Sequence, residues 1–198
     1  FTLASCTRNY RSEFEANSDW LRFGFHGYSG AEDYETLNEM ESERQYDAVM
    51  GNLSEIVGEK ALDATTRIHK FKATKEFFMY MRRAKYPVQA LLAADDNRLS
   101  YSLSTEENRL LQKKGIYNVD NMRFIRTSQR FDYLRPLPVF RLFTHFRGGK
   151  YFFTHEYFFF PASTIMKIKG KIIKSLIQTA VIYYRYCLHC ISDFPMNK

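Results

Sequence analysis

The sequence predicts an α/β fold, a distorted or incomplete parallel (β/α) barrel, and three observations carry that expectation. Strand-like and helical segments alternate at intervals of about 25–40 residues, long enough for right-handed βα crossovers and too long for hairpins. Residues 20–30, WLRFGFHGYSG, pass from an apolar run (Trp20, Leu21, Phe23, Phe25) into a Gly-rich turn just after His26. Later β-rich segments end the same way, in histidine or in charged residues. In parallel α/β folds the chemistry gathers where strands end.

Taken in order, residues 1–5 (FTLAS) read as a short buried strand and residues 11–17 as a helix leading into the strand 20–26. Tyr34, Leu37, Met40, Arg44, Ala48, Leu53 and Ile56 fall near helical spacing, which predicts one long amphipathic helix over 31–57. Gly58 supplies its stop. Residues 64–71 (ATTRIHKF) alternate as a strand, and Thr74 with Glu76 opens a helix over 74–85. Residues 88–94 (VQALLAA) read as a buried strand ending in Asp95 and Asp96. Ser104 and Glu107 have capping-box spacing at the head of a helix that Gly115 closes. Strands follow at 122–127 and 151–154, with helices at 136–146 and 163–186 and a last short strand at 191–194.

A chain of 198 residues with 17% aromatic content has ample material for a single domain over 1–198. Residues 1–60 carry 12 acidic and 5 basic residues, while 61–198 carry 10 acidic and 24 basic. Such asymmetry can mark an anionic partner. No Lys/Arg block or nucleic-acid motif accompanies it, so solvated faces are the reading and no nucleic acid is expected. Lys174, Gln178 and Arg185 interrupt the apolar stretch 172–191, so no transmembrane segment is expected there. No basic n-region precedes the first apolar residues, so no signal peptide is expected. Cys187 and Cys190 have C-x-x-C spacing without a second ligand pair. With Cys6 they read as buried or partly buried thiols rather than a metal or redox centre.

The residues at the carboxyl ends of the expected strands are His26, His69 (with Arg67 just inside), Asp95 and Asp96, Gln129 and Arg130, and His155 and Glu156. A single histidine at a strand end ordinarily packs or hydrogen-bonds. Three of the five histidines in such places is a departure from that. On one end of a barrel they could bind a metal, act as acid and base, or stabilise an anion.

The order of these segments resembles the polysaccharide deacetylases, the NodB-like metal-dependent carbohydrate esterases with a distorted β/α barrel. His26-Gly27-Tyr28-Ser29-Gly30 resembles their H-[ST]-x-x-H metal motif, in place before a long helix. Thr66-Arg67-Ile68-His69-Lys70-Phe71 resembles the R-x-P-[YF] segment, and residues 91–95 resemble the strand ending in aspartate. Phe153-Thr154-His155-Glu156 resembles the late strand with the catalytic histidine, and FTLAS the family's second strand. The resemblance implies a divalent, zinc-type metal held in part by His26, with His155 as general acid. It implies that Asp95 orients His155 and that Arg67 positions the base. It implies an acetylated glycan or oligosaccharide as partner and a secreted or cell-envelope location.

Against the family's pattern, Gly30 stands where a second histidine is usual, His69 where a proline is, and Glu156 where an aspartate is. The family's opening strand, with its Asp-Asp pair, would fall before Phe1. The expectation is therefore a degenerate metal motif and impaired hydrolysis of acetyl amide or ester bonds. His69 or Glu156 could lend a substitute ligand. The alternatives are a non-catalytic relative that binds carbohydrate through the same cleft with Trp20, Tyr28 and Phe25 if exposed, and a basic surface on 61–198 for anionic partners; Glu156 joins Tyr28 and Trp20 as an expected substrate contact.

Overall fold

The computed structural model of the chain describes residues 3–127 and, as backbone, the short strands Gln129–Arg130 and Phe152–Phe153. The chain divides into two units, Phe1–Arg126 with His189–Lys198 and Thr127–Leu188. The first is a mixed α/β unit built on a four-stranded, mostly parallel sheet. Its strands are β1 (Thr65–Thr66), β2 (Ala90–Ala93), β3 (Ile116–Val119) and β4 (Met122–Arg126), in the order β1-β2-β4-β3. β1, β2 and β4 run parallel, with Thr66 opposite Leu91 and Ala93 opposite Arg126. β3 turns back antiparallel on the far side of β4 through Asp120 and Asn121, both at positive φ. This order is open: among the described residues the sheet does not close into a barrel. In the second unit the described backbone is a parallel pair, β5 (Gln129–Arg130) with β6 (Phe152–Phe153).

The helices are α1 (Arg11–Ala16), α2 (Glu39–Val57), α3 (Lys75–Arg83) and α4 (Thr105–Lys114). Their ends follow local chemistry. The Thr74 side chain accepts from the Phe77 amide, and Ser104 and Glu107 form the reciprocal capping box. Gly115 closes α4 in the left-handed region at φ 78. α1 packs on α2, α2 on α3, and α4 against β3 and β4. No helix among the described residues is long and apolar enough to cross a membrane.

Several expected elements differ. Leu3–Ser5 forms a 3₁₀ turn, not a strand. Helix α2 begins at Glu39, eight residues later than its spacing suggests. Residues 31–38 are held by local polar bonds instead: the Asp33 carboxylate accepts from the Glu35 amide, and the Asp33 carbonyl from Thr36 and Leu37. The buried stripe of α2 is Tyr46, Val49, Met50, Leu53, Ile56 and Val57, whereas Met40 is 76% exposed.

The expected strand over 20–26 is an extended run rather than a ladder. Phe23 makes a single parallel bridge with Leu62, and its amide and carbonyl bond Ala61 and Asp63. Further along, the Thr66 hydroxyl donates to the Phe25 carbonyl, so a side chain takes the place of a ladder amide. The close approach needs Gly24, where a Cβ would meet the Thr65 carbonyl and the Thr66 hydroxyl at 3.2 Å. The run therefore lines the edge of β1 away from β2. The core lies beneath it: Phe25, Tyr34, Tyr46 and Phe77 are fully buried, with Tyr34 and Phe77 stacked at 5.0 Å.

Candidate functional site

The extended run, β1 and β2 are parallel neighbours, so the residues that follow each fall on one edge of the sheet. His26 ends the run, Arg67 and His69 follow β1, and Asp95 follows β2. His26 and the segment after β1 are clamped twice. The His69 amide donates to the His26 carbonyl at 2.8 Å, and His26 Nδ1 donates to the Arg67 carbonyl at 2.5 Å. A neutral ring bound in this way carries its lone pair on Nε2. The His26 and His69 rings meet edge to face, with centroids 5.5 Å apart.

Around this pair the structure sorts the expected site residues. The Arg67 guanidinium lies over the Phe71 ring at 5.4 Å, and Arg98 lies over the same ring at 5.9 Å. Asp96 is gripped by Arg98 at 2.6 Å. The backbone of Asp95 is fixed by Arg126, whose Nη2 donates to its carbonyl at 3.5 Å. Tyr28 is 52% exposed beside His26. Its amide donates to the Tyr34 hydroxyl, which in turn donates to Gln45 at 2.9 Å. Arg44 lies over the Tyr28 ring at 5.8 Å while binding both oxygens of Glu41 at 2.7 and 2.6 Å. Hydrogen bonds from Arg44 and Gln45 hold the Glu41 carboxyl down at about 2. Tyr28 is thus braced from α2.

Two expected aromatic contacts are placed elsewhere. Phe25, expected as a sugar platform if exposed, is 0% exposed and belongs to the core. Trp20 is 59% exposed, but it sits in the turn after α1 with its indole N–H donating to Asn17 at 3.1 Å. It stands at the amino end of the extended run, and His26 is at the other. His155 and Glu156, like Cys187 and Cys190, lie outside the described residues. Cys6 is half-buried and packs against Ile56, Val57 and Ala61.

Among the described residues the donor set does not make a catalytic metal site: no three His, Cys, Asp or Glu side chains converge to hold an ion. His26 and His69 are two, and a catalytic zinc ordinarily takes three protein ligands.

Burial pulls the His69 imidazole below its ordinary value of 6.5, and the nearby cations Lys70 and Arg67 pull it further. Above that value the ring is neutral folded or unfolded. As pH falls the unfolded ring takes its proton first, so the stability it contributes is lost on acidification. His69→Gln should flatten the fall in unfolding free energy between about pH 7 and pH 5. Urea unfolding at several pH values checks this, and an unchanged slope would place His69 in water.

Sequence reading passed over Arg98, Arg126 and Tyr101. The last is a fully buried tyrosine in the loop after β2, and an aromatic among the Asp, Asn, Arg and Ser of that loop is the signal that would have found it. Comparison of the chain with protein-family models, with curated proteins and with solved structures found no match.

Proposed function

We propose that this unit engages an acetylated glycan at the carboxyl edge of its sheet, as a polysaccharide deacetylase-like domain whose hydrolysis is impaired. The observation that carries the reading is the meeting of His26 and His69, 5.5 Å apart and cross-clamped through backbone, with half-exposed Tyr28 two residues on from His26. Aromatic faces and a few fixed polar groups suit a sugar. The strand order supports the same reading. The extended run, β1, β2 and β4 lie side by side in chain order, as in a sheet wound one way towards a barrel. β3 on the outer edge of β4 is the departure from a barrel.

In this reading Arg67 and His69 hydrogen-bond the hydroxyl or acetyl oxygens, and the Tyr28 ring packs on a sugar face. A bound divalent metal would polarise the acetyl carbonyl in a competent relative. The two histidines here do not make such a centre, and no step is assigned to one.

Calorimetric titration with Zn²⁺ and an assay for acetate released from an N-acetylated chitooligosaccharide test the proposal. The unmodified chain should bind the oligosaccharide, hold zinc weakly and release no acetate. A Cβ at Gly30 would meet nothing within 4 Å, so Gly30→His is tolerated sterically. It should tighten zinc by about tenfold or more, about 1.4 kcal/mol, without turnover, because a histidine held as a ligand does not serve as the base. Acetate release or tight zinc binding by the unmodified chain would contradict the impairment. Absence of oligosaccharide binding would contradict the glycan reading.

A further inference from the structure

The loops after β1 and β2 each contain two consecutive non-glycine residues in the left-handed region: Lys70 and Phe71 at φ 59 and 61, Tyr101 and Ser102 at φ 57 and 55. Side chains rarely adopt that conformation, and it persists where the surroundings over-determine it. Here the two pairs hold each other. The Tyr101 amide donates to the Phe71 carbonyl at 2.8 Å, and the Ser102 hydroxyl donates to the Ala73 carbonyl at 2.9 Å. Between them stands the Tyr101 hydroxyl, in a side chain 0% exposed. It donates to the Leu92 carbonyl on β2 at 2.6 Å and accepts from the Ile68 amide at 3.3 Å. Ile68 is the residue between Arg67 and His69. One phenol thus ties the segment carrying two candidate site residues to the strand that leads to Asp95.

Packing alone does not call for that hydroxyl. The Tyr101 ring lies 5.8 Å from Phe124 and 6.4 Å from Phe71, contacts that phenylalanine would keep. Burial raises the hydroxyl above its usual range, so it stays protonated and remains a donor.

We propose that Tyr101 is the positioning residue of the carboxyl edge: through the Ile68 amide it sets where Arg67 and His69 stand relative to His26 and Asp95. Its functional half, that glycan affinity depends on this spacing, rests on the glycan reading above.

The test compares the full chain with Tyr101→Phe and with Tyr80→Phe, whose hydroxyl donates to Asp47 at 2.6 Å between α3 and α2. The readouts are the NMR signals of the His26 and His69 rings and affinity for an N-acetylated chitooligosaccharide. Tyr101→Phe should shift both ring signals, because the segment after β1 loses its tie to β2, and should weaken the glycan about tenfold. Tyr80→Phe should change neither. In the unmodified chain the Ile68 amide should exchange with solvent as slowly as the amides of β2, which decides the matter if Tyr101→Phe does not fold. Fast exchange at Ile68, or unmoved ring signals in Tyr101→Phe, would overturn the positioning role. Shifted ring signals with unchanged glycan affinity would overturn its functional half. Shifted ring signals in a chain that never binds the glycan would leave the positioning role standing and remove the glycan reading.

Discussion

Phe25→Ala should lower the unfolding free energy by about 3–5 kcal/mol, the range for removing a buried aromatic from a core that cannot collapse around the gap. The ring is fully buried among Tyr34, Tyr46 and Phe77, with centroids 5.7, 5.1 and 6.1 Å away. Three elements meet there: the 31–38 loop through Tyr34, α2 through Tyr46 and α3 through Phe77. The residue also precedes His26 directly and has its carbonyl bound by the Thr66 hydroxyl. The loss should therefore reach the site, and the His26 and His69 ring signals should both shift in the variant. Chemical denaturation measures the first effect and NMR the second. A loss below about 1 kcal/mol would mean that the ring is a surface group.

Gly58→Ala should be the second large loss, and it should divide into two parts. The C-cap of α2 has φ 84 and ψ 153, a region that glycine alone occupies readily, and a side chain there costs about 1–3 kcal/mol. An added Cβ would also run into the Glu15 side chain, which packs from α1 against the end of α2. Glu15 is flexible and pairs with Arg11 only at 3.5 Å, so it can swing away. In a Glu15→Ala background the collision disappears and the backbone cost stays. A double-mutant cycle separates the two. Gly58→Ala should still cost about 1–3 kcal/mol without Glu15. Full recovery would assign the whole effect to the collision and none to the backbone.

How much of this was legible in the sequence depended on where the deciding interactions lie. Helix ends set by adjacent residues were readable: Thr74, the Ser104–Glu107 box, Gly58 and Gly115 all act where their types suggest. Strand β2 was readable because its residues are apolar throughout, and β4 because Met122, Phe124 and Ile125 are buried alongside its two arginines. The start of α2 was not. Tyr34 and Leu37 keep helical spacing, but Asp33 and Asn38 offer the backbone competing bonds, and Asn38 caps the helix from outside it.

β3 was missed because Ile116-Tyr117-Asn118-Val119 is four residues directly after the Gly115 stop of α4, and its pairing with β4 is set by the Asp120-Asn121 turn. The site was legible as a set of strand ends, which any parallel sheet places together. Its fastenings were not legible, because the fold alone brings their partners together. His26 meets Arg67, Tyr28 meets Tyr34 and Arg44, and Tyr101 meets Ile68 and Leu92. Phe25 could not be told from a sugar-binding aromatic by type alone, since only the fold decides which rings of an apolar run face inward.

Glycan binding at the carboxyl edge of the sheet is tested most directly by an amide and aromatic NMR titration of the full chain with an N-acetylated chitooligosaccharide. The largest shifts should fall on His26, Tyr28, Arg67 and His69, with Trp20, at the other end of the extended run, unmoved. Shifts centred on Trp20 and α1, or no shifts at saturating oligosaccharide, would contradict it.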